Sequence, residues 1–300
     1  MKHDTLPSPE EQGAVQRLRH HVQTLAGDIG ERNVFHPQAL AAAETYIRTY
    51  WEGLGYTVYE QRYETRGVAC ANLEIVLPGR TWPERILLVG AHYDSVRGSP
   101  GANDNGSGVA VLLELARQWR SLEPRHTLRL VAFANEEPPF FLTAHQGSMR
   151  YARRARKRGE DIRLMLSLET LGCYRDEPGS QRYPPLFRFF YPDRANFVAL
   201  VANWRSRRPM RSLARCFRAV SDFPLEHVTS SAAVPGVGAS DHFSFWLRRY
   251  RAVMVTDTAY YRYAPYHTAE DTPEKLDYPR LARVALGLSR ALPALDQEMV

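Results

Sequence analysis

The sequence has only three cysteines, Cys70, Cys173 and Cys216, and no CxxC spacing. An odd number so widely separated suggests neither a disulfide framework nor a thiolate zinc site. Small buried side chains are the expected role, so any metal must rely on imidazole and carboxylate. No apolar run approaches the roughly 20 residues that span a bilayer. The first thirty residues, Met1 to Gly30, are mixed in character rather than basic and then apolar, so no secretory leader is read and a cytoplasmic location is expected. Repeats and low-complexity tracts are lacking too. The net charge of +6 comes almost wholly from arginine, concentrated in Arg150 to Arg158 and Arg205 to Arg218. Both stretches have helical character without interleaved aromatics for base stacking. Solvated helix faces are expected, and neither nucleic acid nor a membrane is an expected partner.

What is present is the makings of one sizeable α/β core: 44% apolar residues against 24% charged. Val15, Leu18, Val22 and Leu25 recur at helical spacing and predict an amphipathic helix over 10–28. A second helix is predicted over 38–54, stopped by Gly55. Strands are predicted over 57–63, 71–77, 86–90, 127–134, 162–168 and 252–256. Helices are predicted over 108–120, 148–158, near 196–206, over 211–218 and over 278–292. An irregular stretch follows residue 218, and a tyrosine-rich loop follows residue 256. Strands alternating with helices argue for a twisted, largely parallel sheet covered on both faces. No linker divides the chain, so a single domain over 1–300 is expected, with residues 1–35 as a helical N-terminal extension packed on it.

The chemistry-bearing residues gather at predicted strand ends. His92 and Asp94 lie just beyond the strand ending at Gly90. Asp104 sits in a glycine-rich turn before a helix. Glu136 and Glu137 follow the strand ending at Ala134, Glu169 follows the strand ending at Leu168, and His267 lies in the loop after the last strand. In open α/β sheets ligands bind at the carboxyl ends of strands. Taken singly, each residue has an ordinary structural explanation: His92 as a strand-end histidine, Asp104 as a helix cap. The adjacent pair Glu136-Glu137, followed by Pro138-Pro139-Phe140-Phe141, sets like charges against an apolar wall and calls for a cation. Three ligand carboxylates, Asp104, Glu137 and Glu169, balance two Zn²⁺ once a hydroxide is added, leaving Glu136 free as a base.

In order, the segments LLVGAHYDS (87–95), GANDNGSG (101–108), FANEE (133–137), GSMRY (147–151), SLETLG (167–172), SDHF (240–243) and YHTAEDT (266–272) resemble the dizinc aminopeptidase family of the secreted bacterial leucine aminopeptidases. Glutaminyl cyclases and glutamate carboxypeptidases are its relatives. The resemblance covers roughly residues 36–292 and implies a zinc-exopeptidase fold with a mixed sheet. It implies that two zinc ions are bound per chain, His92 and Glu169 on one, Glu137 and His267 on the other, with Asp104 bridging. Glu136 becomes the general base and later acid, and Asp94 supports His92. A cis peptide after Asp104 is implied as well. Tyr266 matches a tyrosine that stabilises the oxyanion in some relatives, with Tyr260, Tyr261 and Tyr263 as alternatives. Ser240, Asp241 and Asp271 match family motifs without a ligand role, and His242 reads as structural. The archetypes carry aspartate where this chain has Glu169, and the cysteine pair of one archetype is missing.

The expected reaction is hydrolysis of N-terminal residues from peptides, through a metal-bridging hydroxide and the Glu136 base. An aminopeptidase is favoured because a substrate α-amine can sit against Glu136 and Glu169. The alternatives are a glutaminyl-peptide cyclotransferase, and a carboxypeptidase or dipeptidase recognising a terminal carboxylate through Arg262 or Arg175. Phe140, Phe141, Phe243, Phe245 and Trp246 are candidates for an apolar specificity pocket, or else core. Oligomeric state is open.

Overall fold

The computed structural model describes residues 8–298, so the first seven residues of the expected N-terminal extension and the last two of the chain lie outside it. Helix α1 spans Pro9–Val22. The Ser8 hydroxyl accepts from the Glu11 amide at 3.2 Å and the Glu11 carboxylate accepts from the Ser8 amide at 2.8 Å, satisfying donors that a helix start leaves open. The helix continues as a wider π-turn over Gln23–Ile29, with Leu18, Val22 and Leu25 buried as the spacing predicted. Helix α2, Pro37–Gly53, is followed by Gly55 at φ 88°, the left-handed stop expected of a glycine.

Among the described residues eight strands form one sheet: β1 Tyr59–Thr65, β2 Val68–Leu77, β3 Trp82–His92, β4 His126–Phe133, β5 Asp161–Glu169, β6 Val198–Ala202, β7 Leu225–Thr229 and β8 Ala252–Thr256. Their order is β1-β2-β4-β3-β5-β8-β6-β7. The centre, β4-β3-β5-β8, is parallel. Antiparallel pairing joins β1 to β2, β2 to β4 and β6 to β8, which makes the sheet mixed. The remaining helices are α3 Gly108–Gln118, α4 Gly147–Lys157, α5 Arg207–Val220, α6 His242–Leu247 and α7 Tyr278–Glu298. Among the described residues no helix is long and apolar enough to cross a membrane.

Both faces of the central strands are buried, which is why they read as continuous apolar runs rather than alternating ones. Leu87, Val89, Leu164, Leu166 and Val253 pack into the larger core beneath α1, α2, α3, α5 and α7. Ile86, Leu88, Val131, Met165 and Ala252 pack on the other face against Tyr151 and Ala152 of α4 and Phe245 of α6. The N-terminal segment is tied to this body by Arg17, whose guanidinium donates to Glu114 of α3 at 2.9 and 3.0 Å.

Two expectations fail. The segment 196–206 contains the strand β6, and its only helical part is the 3₁₀ turn Trp204–Ser206. Its Val198-Ala199-Leu200-Val201-Ala202 run is buried throughout between β7 and β8, and pairing on both sides outweighs the helical preference of alanine and leucine. The stretch after residue 218 is also not wholly irregular, since it holds the short edge strand β7 and the six-residue helix α6.

Candidate metal centre

Parallel strands end at one edge, and β3, β4 and β5 deliver their functional groups there. His92 is the last residue of β3 and Glu169 the last of β5, while Glu136 and Glu137 come three and four residues after the end of β4. Asp104 is set by the turn between β3 and α3. Its amide and that of Asn103 donate to the Asp271 carboxylate at 3.0 and 2.8 Å, and Tyr263 donates its hydroxyl to the same group at 2.8 Å. The Asp104–Asn105 peptide is cis, as the resemblance implied. The Asn105 side chain ties this turn to β5, donating to the Leu168 carbonyl at 2.8 Å and accepting from the Thr170 amide at 3.1 Å. Asp94 accepts from the Glu136 and Glu137 amides at 3.0 and 3.1 Å. Asn135, Thr170 and His267 sit in the left-handed region at φ 58°, 44° and 60°, a conformation that costs non-glycine residues and collects at functional sites.

The five residues expected as ligands converge in two triads that share Asp104. His92 Nε2 lies 3.2 Å from Asp104 Oδ1 and 3.3 Å from Glu169 Oε2. His267 Nε2 lies 3.0 Å from Asp104 Oδ2 and 3.2 Å from Glu137 Oε2. Each triad therefore uses a different oxygen of Asp104. Neither imidazole nitrogen is aligned for a hydrogen bond with these oxygens, and Glu137 Oε1 also has no partner among the described residues. Ligands about 2.0–2.1 Å from a tetrahedral zinc stand about 3.3 Å from one another, which is close to the observed spacing. The donor set thus fits a pair of zinc ions. Glu136 belongs to neither triad: its Oε2 is 3.9 Å from His92 Nε2.

Electrostatics agree. Asp104, Glu136, Glu137 and Glu169 are all buried, and several buried carboxylates without cations are costly. Burial, then the charge of Asp104, pushes Glu137 up to about 8 and Glu169 up to about 7. Glu136 is raised well above the carboxylate range by burial, reinforced by Asp241, Glu137 and Glu169 and opposed by His92. Burial would lower His267, but Asp104 and Glu137 beside it raise it to about 10. His92 is likewise raised, the surrounding carboxylates overcoming its burial.

The structure refines several assignments. His92 Nδ1 is 3.2 Å from the main-chain oxygen of Asp94 and 3.6 Å from its carboxylate, so the Asp94 side chain is spent mainly on the two glutamate amides. Tyr266 stacks on the His267 ring at 3.9 Å. Tyr261 donates to the Pro235 carbonyl at 3.2 Å, and Tyr263 is held by Asp271. His242 is buried against the Val237 carbonyl at 2.8 Å and pushed down to about 4 by burial, as a structural histidine would be. His145 is exposed, and so is Arg175. Arg262 is buried and bound by the Cys173, Ala195 and Phe197 carbonyls. Phe140 and Phe245 are core.

Sequence reasoning missed three supports. Ser240 donates to Glu169 Oε2 at 2.7 Å and also meets Ser167, and Asp271 grips the Asp104 turn; both stand in matched motifs, which was the available signal. The third, Arg32, had none. Fully buried, it donates to the carbonyls of Tyr93 and Gly101 at 2.6 and 2.8 Å and so links the N-terminal segment to both ligand-bearing loops. Its guanidinium is lowered to about 10 by burial, with Asp94, Asp271, Asp104 and Glu137 opposing.

Comparison with known proteins bears on the family and the fold. The family model described as Peptidase family M28 matches residues 72–292. The protein YfbL of Escherichia coli (strain K12) is 33% identical over 294 residues, covering 95% of this chain and 90% of its own. Among solved structures, BSAP, a zinc aminopeptidase from Bacillus subtilis, superposes with a TM-score of 0.72 at 16% identity, covering 93% of this chain and 94% of that one. A Fimbriiglobus ruber glutaminyl cyclase does so with a TM-score of 0.72 at 20% identity, covering 100% and 99%. The chain belongs to peptidase family M28 and is a metallo-exopeptidase.

Proposed function

We propose that the chain is an aminopeptidase that works with two zinc ions. The observation that carries this reading is the pair of imidazole–carboxylate triads sharing Asp104 through its two oxygens. His92 and Glu169 would hold one ion, Glu137 and His267 the other, and Asp104 both. When bound, such ions acidify a shared water and polarise the peptide carbonyl.

The chain's own groups supply the rest. Glu136 stands at the margin of the His92 triad with its acidity weakened by burial, the property a base needs if it is to return its proton to the leaving amine. Tyr266 is kept protonated by burial and by the carboxylates near it, so its hydroxyl can donate to an oxyanion. The half-exposed side of His267 is where substrate enters. A free α-amine suits the acidic wall of Glu136 and Glu169. Carboxypeptidase action is disfavoured, because Arg262 is buried, with Nη1 held by three main-chain carbonyls and Nε by Gln181.

The test is Glu136→Gln in zinc-loaded protein. It should retain two zinc ions per chain while turnover of aminoacyl substrates falls by about 10²–10⁴-fold. Turnover like that of the wild type would refute the role of Glu136. One ion per chain, with pyroglutamate formed from N-terminal glutamine peptides, would instead establish a cyclotransferase.

A further inference from the structure

Helices α4 and α6 cover one sheet face over β3, β4, β5 and β8; beyond these Trp246 of α6 packs against the cluster that holds Val201 of β6, and loops roof the rest of β6 and β7. The register shows what lies on that floor. Glu169 pairs with Thr256, Thr256 with Ala199, and Ala199 with Glu226. Directly paired residues point to the same face, so these four form a row across the sheet, and all four line one pocket. A second row, Met254–Val201–Val228, lies two residues along and lines it as well. Strands are about 4.8 Å apart, so the row runs about 14 Å from Glu169, a candidate metal ligand, to Glu226.

The pocket is aromatic above and apolar below, with a carboxylate at its far end. Tyr183, Phe187, Tyr191 and Phe197 form the wall around that end, and Tyr266 stands at the metal end. The Tyr191 hydroxyl donates to the His227 carbonyl at 3.1 Å, fixing the wall to β7. Among the described residues no lysine or arginine lines the pocket. Arg218 of α5 is the cation that acts on Glu226, but its guanidinium donates to the Leu225 carbonyl at 2.7 Å. Among the described residues none makes an ion pair with Glu226. A half-buried carboxylate with no ion-pair partner among the described residues, enclosed by aromatic faces, is a receptor for a cation.

Resting on the aminopeptidase reading, we propose that Glu226 is a specificity-determining residue that selects substrates whose N-terminal residue is lysine or arginine. The apolar stem of such a side chain lies on Met254 and Val201 beneath the tyrosines, and its charged tip meets Glu226. A leucine side chain starting beside Glu169 is too short to cross the row and leaves the carboxylate unpaired.

Lysine and norleucine differ only by the terminal ammonium, so their ratio isolates Glu226. With zinc-loaded protein, kcat/KM for the lysyl substrate should exceed that for the norleucyl one at least tenfold. The ratio should fall at least tenfold in Glu226→Gln, and should hold in the exposed control Glu177→Gln. Preference for norleucine, leucine or phenylalanine, or a ratio that Glu226→Gln leaves in place, would overturn the proposal. Hydrolysis of any member of the panel reports separately on the aminopeptidase reading. Calorimetric titration with L-lysinamide and L-norleucinamide reads the pocket even where nothing is cleaved: tighter lysinamide binding, abolished in Glu226→Gln, supports the proposal, and equal binding overturns it.

Discussion

Asp94→Asn exchanges one oxygen for an amide nitrogen in a carboxylate that accepts from two successive main-chain amides, Glu136 at 3.0 Å and Glu137 at 3.1 Å. Hydrogen bonds to a charged acceptor contribute about 1.5–3 kcal/mol each. Asparagine keeps one acceptor, and the second amide then faces another donor in a site where Asp94 is fully buried. Loss of a negative charge near Asp241 acts the other way, since Asp94 helps to raise that group. The net destabilisation of metal-free protein should be about 2 kcal/mol. Both glutamates move when their amides are released, so zinc affinity should fall by about 10–100-fold, as is usual when a group orienting the ligands is changed. Urea unfolding midpoints measure the first effect and competition with a chromophoric chelator measures the second. An Asp94→Asn protein within about 0.5 kcal/mol of wild type and equally tight for zinc would show that these contacts do not hold the centre.

Zinc loading at pH 7.5 should release protons, because metal-free His267 keeps its proton up to about 10 and Glu137 up to about 8. Affinity should therefore weaken as pH falls, and titration heats that do not vary with buffer ionisation enthalpy would contradict this. His21, buried and pushed down to about 3 by its burial, stays neutral in the fold while the unfolded chain takes up a proton near pH 6.5. Its contribution is thus complete above pH 6.5 and is lost as pH drops towards 3, by about 1.4 kcal/mol per pH unit. Unfolding curves at pH 7 and pH 5 should show a smaller loss in His21→Gln than in wild type. Gly147 begins α4 with no room for a side chain: an added Cβ would stand 2.2 Å from Asn72 Oδ1 and 2.5 Å from the Ala134 carbonyl. Gly147→Ala should cost about 1–3 kcal/mol, and a thermal midpoint unchanged from wild type would refute the close approach.

The order of elements was legible because local signals carried it: the helical spacing of Leu18, Val22 and Leu25, the stop at Gly55, and the apolar run of β3. The convergence of the five candidate ligands was legible as well, since each ends a strand or follows one, and parallel strands bring their ends to a common edge whatever the details of packing. Strand β6 was not legible, because Val-Ala-Leu-Val-Ala has no strong local preference and becomes a strand only when β7 and β8 flank it. The grip of Asp271 on the Asp104 turn and that of Arg32 on the loops around it join residues far apart in sequence, and no spacing rule encodes them. The side-chain pocket was hidden for the same reason. Glu169 and Glu226 come into line only through the register of four strands, one of which runs against its neighbour β8, so tertiary pairing alone decided that they share one pocket.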